Sequence, residues 1–188
     1  MIPDAAVAAL RPFRVAFREM PVPAVMVPGA VSTELAAAIR AELSGLTFIP
    51  YFVADRGRYA YRDDLEVTEL FDSLVALAEH LADEPLRIAD SRFYSLGRGD
   101  YALRKDAPAP AARRLELTVD LSQRATGQGE VVYAHRGQVF FVAPQEPGAV
   151  SLVDRQPTVD RYDRYLGHRV GDARVLRLRL LLDPRAPD

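Results

Sequence analysis

Arg114-Leu-Glu-Leu-Thr-Val-Asp-Leu121 reads as a β-strand from its own residues alone. Leu115, Leu117, Val119 and Leu121 fall on one side, and Arg114, Glu116, Thr118 and Asp120 on the other. Successive strand side chains point to opposite faces, so the alternation predicts a half-buried strand with one apolar face. The same period governs the chain from about Arg87 onward. Further strand candidates are Arg92–Leu96, Val131–Ala134, Val139–Val142, Ala149–Val153, Arg161–Val170 and Val175–Leu182. Turn signals separate them at Gly127–Gly129, Arg136–Gly137, Pro144 to Gly148 and Gly171–Asp172. Seven or eight short strands at this spacing predict a sandwich or jelly roll.

Upstream of this core the pattern changes to helical spacing. Ser32 or Thr33 can cap a helix with the stripe Leu35, Ile39 and Leu43, closed by Gly45. A second helix follows Asp63–Asp64, carried by Leu70, Leu74, Leu77 and Leu81. Strand-like pieces, Ala24–Val27 and Phe48–Val53, precede the two helices. Neither repeat nor linker divides the chain, so residues 1–188 are expected to form a single domain. Residues 1–86 would supply helical and strand support, and 87–188 the jelly-roll core. The predicted class is α+β: a double-stranded β-helix with N-terminal helices buttressing one sheet.

Composition narrows the function classes. A formal charge of −2 on 188 residues gives no electrostatic reason to expect nucleic acid or an anionic membrane as partner. The run Arg161-Tyr-Asp-Arg-Tyr165 interleaves bases and aromatics, as stacking surfaces for nucleic acid do. Its fit to strand alternation and the overall acidity argue against that use. Without cysteine there are no disulfides, thiolate metal sites or cysteine nucleophiles. The first residues, MIPDAAVAALRPFR, do not read as a signal peptide, and no apolar run approaches a membrane span. A soluble, cytoplasmic protein is the expectation, and abundant Arg and Ala with Lys105 as the only lysine suggest a GC-rich bacterial genome.

The run Tyr94-Ser-Leu-Gly-Arg-Gly-Asp-Tyr-Ala-Leu-Arg-Lys-Asp106 carries the chemistry. It resembles the opening of the core of the 2-oxoglutarate/Fe(II) oxygenases, in particular the prolyl 4-hydroxylase-like branch. There a Tyr and a Gly-rich turn precede a His-x-Asp pair on one strand. Gly129-Glu-Val-Val-Tyr133 resembles that family's Gly-Glu-Leu hairpin, and Pro144–Gly148 its Pro-x-x-Gly turn. His168-Arg-Val170 is similar to the distal His-x-Val, and an Arg-bearing last strand follows. The Val25–Leu43 segment resembles the strand and helix that open the branch, so the likeness spans most of the chain.

The resemblance implies Fe(II) and 2-oxoglutarate as cofactors. Two imidazoles and one carboxylate hold the metal and leave positions for the cosubstrate and O₂. Asp106 falls at the carboxylate position and His168 at the distal imidazole. Arg177, nine residues after His168, falls near the expected cosubstrate anchor, with Arg179 on the same face as a second candidate. Tyr94 and Tyr101 could bond a ligand at the barrel mouth. The first imidazole, however, is replaced by Arg104, or by Lys105 in a slipped register, and neither cation is a ligand at neutral pH. On a strand Arg104 and Asp106 would share a face, and the guanidinium would neutralise the carboxylate in place of the metal. His80 and His135 read as surface residues on a helix and at a hairpin tip.

Two functions follow from these residues. One is an oxygenase with an altered iron site, hydroxylating a small molecule or a peptide side chain. The other is a non-catalytic domain on the same scaffold, binding a ligand or a partner protein. No feature specifies an oligomer, although the edge strands of an incomplete barrel would be open to pairing.

Overall fold

The computed structural model of the chain describes residues 4–63, 65 and 67–185. In chain order the elements are α1 (Asp4–Glu19), β1 (Ala24–Val27), α2 (Thr33–Ser44), β2 (Ile49–Val53), β3 (Gly57–Arg62) and α3 (Thr68–Ala82). Then come β4 (Leu86–Leu96), β5 (Tyr101–Ala102), β6 (Arg114–Asp120), β7 (Val131–His135), β8 (Gln138–Ala143), β9 (Val150–Arg155), β10 (Val159–Asp163) and β11 (Val175–Pro184). Every strand pairing is antiparallel, and the order along the sheet is β1-β9-β6-β11-β4-β3-β5-β10-β7-β8, with β2 on β3. The sheet folds over so that its ends meet. Val22, Ala24 and Val153 on the β1–β9 side pack with Val131, Tyr133, Ala143 and Val159 on the β7, β8 and β10 side. This is a jelly roll, a nearly closed barrel with helices on one side.

The main core lies between the helices and the outer face of β4, β6, β9 and β11. Ile39 and Leu43 of α2 and Leu70, Leu74, Leu77 and Leu81 of α3 pack there with Leu115, Leu117, Val119, Leu152, Leu178, Leu180 and Leu182. Truncating a leucine in such a core costs roughly 2–5 kcal/mol. Ser32 caps α2 by accepting from the Leu35 amide at 3.2 Å, and the Gly45 amide closes it on the Leu43 carbonyl. Leu35 itself is exposed; Ala36 takes its place in the stripe. Helix α3 has no side-chain cap at Val67; Asp63, expected at its head, pairs instead with Arg92, and Asp64 lies outside the described residues. Asp83 ends it in the left-handed conformation (φ 63°) and pairs with Arg14 at 2.6 Å and Arg18 at 3.0 Å, docking α1.

Several expectations are corrected. Helix α1 was not foreseen, because Pro12 sits inside it; among the described residues Leu10, Phe13 and Phe17 supply its packed side. Strand β3 and the first half of β4 also escaped the alternation. Strand β6 is not half-buried, since Leu115 to Asp120 are all enclosed on both faces. The expected strand Arg161–Val170 stops at Asp163. Beyond it the backbone turns away, with the Leu166 amide bonding the Asp100 carbonyl and the Gly167 amide bonding Gln128 Oε1. His168–Val170 then forms a single 3-10 turn. Among the described residues, no helix is long and apolar enough to cross a membrane.

Candidate functional site

Strand parity decides what fills the barrel. Along β11, Leu178, Leu180 and Leu182 join the helix-side core, so Arg177 and Arg179 enter the interior. The same parity sends Glu116 and Thr118 of β6 inward and sets Arg161 and Asp163 on one face of β10.

These groups form a chain of ion pairs shielded from water. Glu116, 0% exposed, receives Arg155 Nη1 at 2.5 Å and the Tyr133 hydroxyl at 2.8 Å, and Arg161 Nε lies 2.9 Å away. Asp163 accepts from Arg177 Nη1 at 2.5 Å and pairs with Arg161 Nη1 at 2.7 Å. Arg177 also donates to the Gly129 carbonyl, and Arg179 Nη2 reaches Asp90 at 2.8 Å. The Nε and Nη1 contacts of Arg161 are close but not aligned as hydrogen bonds; its directed bond runs from Nη2 to Asp163 at 3.3 Å. Arg179 Nε is buried with no acceptor. Tyr94 packs between them, its ring centroid 5.5 Å from both the Arg161 and the Arg179 guanidinium, within cation–π range.

Burial alone would raise the Glu116 pKa, but Arg155, Arg161 and Arg179, with the Tyr133 hydrogen bond, more than offset it and hold the carboxyl below its ordinary 4.5. Burial also works against the charge on Arg161, yet Asp163 and Glu116 keep it firmly protonated. Burial pushes the Tyr94 and Tyr133 phenols up, and the Glu116 charge adds to the rise at Tyr133. At neutral pH, then, Glu116 is ionised and both phenols keep their protons.

The residues singled out from sequence fall into two groups. Tyr94, Arg177 and Arg179 are brought together in the interior, Tyr94 and Arg177 as direct cross-strand partners. Arg104, Lys105 and His168 are exposed, whereas Asp106 is linked to Tyr94 through the Tyr59 ring. Strand β5 ends at Ala102, and the next residues form a turn closed by the Asp106 amide on the Leu103 carbonyl. The shared strand face expected for Arg104 and Asp106 therefore does not exist. Asp106 accepts from the Tyr59 hydroxyl at 2.8 Å. Arg104 is exposed, 3.9 Å from Asp160 and stacked over Tyr162, and Lys105 reaches Asp55 at 3.1 Å. His168 lies exposed on the 3-10 turn, joined to Asp106 by no hydrogen bond or ion pair. His135 is partly buried at the end of β7, and His80 is more enclosed than a surface position implies, its Nε2 buried without a partner. Among the described residues, no three His, Asp or Glu side chains are grouped to hold a metal ion.

Glu116, Arg155, Arg161 and Asp163 were not anticipated as site residues. On β6 a signal was present, since Glu116 alternates with leucines, whereas Arg161 and Asp163 of β10 alternate with Asp160 and Tyr162 and carry none. Alternation alone makes β6 half-buried, with Glu116 on its open side.

No protein-family model and no curated protein sequence matches the chain. Solved structures do. A 2OG-Fe(II) oxygenase family oxidoreductase from Burkholderia pseudomallei superposes with a TM-score of 0.69 at 15% identity, over 97% of this chain and 93% of that one. A Pseudomonas putida prolyl-4-hydroxylase gives 0.66 at 12% identity, over 93% and 100%. The epimerase SnoN from nogalamycin biosynthesis, solved with Fe3+, alpha ketoglutarate and nogalamycin RO, gives 0.62 at 17% identity, over 94% and 84%. The structural neighbours thus include iron- and 2-oxoglutarate-binding enzymes, and the chain has the jelly-roll fold of the 2-oxoglutarate/Fe(II) oxygenases.

Proposed function

We propose that this chain is a non-catalytic domain on the oxygenase scaffold, binding a ligand or a partner protein without iron chemistry. The observation that supports this reading is the content of the barrel. Iron in this fold calls for two imidazoles and a carboxylate converging on one point. The chain's three histidines stand on α3, at the end of β7 and on the turn after β10, and among the described residues no three His, Asp or Glu side chains group to hold a metal ion. The residues present do not fit the metal. The barrel interior holds instead Glu116 and Asp163, each between two guanidiniums. Arg177, at the position the resemblance expects for a cosubstrate anchor, is also committed: a carboxylate on it would have to displace Asp163 and the Gly129 carbonyl.

The oxygenase reading rests on likeness to neighbours that bind iron and alpha ketoglutarate. It assigns Asp106 and His168 to the metal and Arg177, Arg179 and Tyr94 to the cosubstrate. Anaerobic titration of purified protein with Fe(II) and 2-oxoglutarate separates the two. We expect no metal-to-ligand absorbance band, no retained iron after desalting and no succinate on admitting air. One iron per chain with succinate formation overturns the proposal.

A further inference from the structure

We infer that the groove between the end of α2 and the sheet is a binding site for an amphipathic organic anion, a carboxylate carried on an apolar body. It lies on the face of the sheet opposite the ion pairs. Ser95 and Leu176, which line it, are cross-strand partners one step along from Tyr94 and Arg177, so their side chains point the other way. The groove holds about 820 Å³, within the range of small-molecule sites.

Its lining separates into two chemistries. Leu43, Leu46, Phe48 and Leu176 form an apolar floor, of which Leu46 is 37% exposed although large and apolar. Arg40, Arg124 and Arg174 stand around it. Arg40 donates to the Leu121 and Ser122 carbonyls at 3.1 and 3.3 Å, and Arg174 Nε to Ser95 Oγ at 2.9 Å. All of these acceptors are neutral. Among the described residues no carboxylate pairs with any of the three guanidiniums, and Asp172 is the one acid in the lining.

Three cations facing one carboxylate leave a positive excess beside an apolar surface. An inorganic anion would answer the charge and leave the floor wet. A neutral lipid would cover the floor and leave the guanidiniums unmatched. A carboxylate on an apolar chain satisfies both, and the forked guanidinium suits it best.

Isothermal titration of the full chain with octanoate, acetate, inorganic phosphate and octanol tests the assignment. Octanoate is expected to bind at submillimolar concentration, the other three at least roughly tenfold more weakly. The Arg124→Gln/Arg174→Gln double variant, which breaks no buried ion pair, should lose octanoate affinity by about tenfold. Leu46→Glu, at an exposed position, should abolish binding, with circular dichroism verifying the fold of both. The inference is overturned if phosphate or octanol matches octanoate, if both variants bind like the parent, or if octanoate does not bind at millimolar concentration.

Discussion

Replacing Glu116 by glutamine removes one charge from the centre of the barrel and changes almost no volume. Glu116 is fully buried and meets Arg155 at 2.5 Å, Arg161 at 2.9 Å and the Tyr133 hydroxyl at 2.8 Å. The amide can still accept from Tyr133, so the perturbation is the loss of charge between two guanidiniums. Arg161 keeps Asp163, and Arg155 keeps the carbonyls of Val159, Ala107 and Pro108. Arg155 is therefore the group left without a counter-charge. Breaking a buried pair from one side costs roughly 3–5 kcal/mol, and the neutral acceptors around Arg155 put Glu116→Gln near the lower end, at about 3 kcal/mol. That is a large share of a typical domain's stability, roughly 5–15 kcal/mol. Urea unfolding followed by circular dichroism at neutral pH measures it, with the slope checked against the parent. A change below about 0.5 kcal/mol at unchanged slope would refute the reasoning, because the ion pairs would then contribute no more than exposed ones.

The same variant has a signed pH dependence. The folded-state pKa of Glu116 lies below its ordinary 4.5, so its contribution is present above that value and lost as pH falls through the lower folded one. The stability gap between parent and Glu116→Gln should hold constant above roughly pH 5 and close in acid, where the parent's carboxyl is itself neutral. A gap that widened in acid would mean the folded pKa is raised.

Two further substitutions probe other parts of the fold. Gly148 has φ +81°, and a Cβ there would lie 2.6 Å from the Val31 carbonyl oxygen, so Gly148→Ala should lower stability. Strain and clash together are worth roughly 2 kcal/mol, or a fall in Tm of about 5 °C by calorimetry; a Tm within ~1 °C of the parent would contradict the placement. Arg104→His puts an imidazole where the family resemblance expects one, and on the proposed reading it should gain no iron, because position 104 is exposed on a turn and His168 lies on another. Iron retained stoichiometrically by this variant after desalting would show that the two turns converge with metal present.

Helices α2 and α3 were legible because their information is local. Ser32 and Gly45 mark the ends of one, and the spacing of Leu70, Leu74, Leu77 and Leu81 defines the buried side of the other. The strand-rich second half was legible for the same reason, since Leu115 to Leu121 and Leu176 to Leu180 alternate strictly. Strand β3 was not: Arg58 and Arg62 flank its tyrosines, and what makes Gly57–Arg62 a strand is pairing with β2, β4 and β5. Strand β10 was overextended because the alternation of Tyr162, Arg164 and Leu166 continues past Asp163. Hydrogen bonds donated by the Leu166 and Gly167 amides to distant acceptors, the Asp100 carbonyl and Gln128 Oε1, hold the chain off the strand's line. No local window contains them.

The barrel interior poses a different problem, because alternation shows that two faces differ and not what covers the polar one. On β6 the charged face reads as solvated until the ends of the sheet are known to meet over it. Once they do, position decides the roles of the charges. Glu116 belongs to β6 and Asp163 to β10, and four strands lie between β6 and β10 in the sheet. Arg161 of β10 touches both acids, so its ion pairs span the barrel instead of running along neighbouring strands. Arg177 of β11 ties back to Asp163 in the same way. A metal triad draws three ligands to one point, whereas this ladder runs over two carboxylates and three guanidiniums. Apolar side chains of similar size would hold the barrel about as well, so stability alone does not explain the charges. They do impose a register that leucines would not, since each carboxylate fits only between its own pair of guanidiniums. The interior thus works as a closure that fixes how the two halves of the sheet meet.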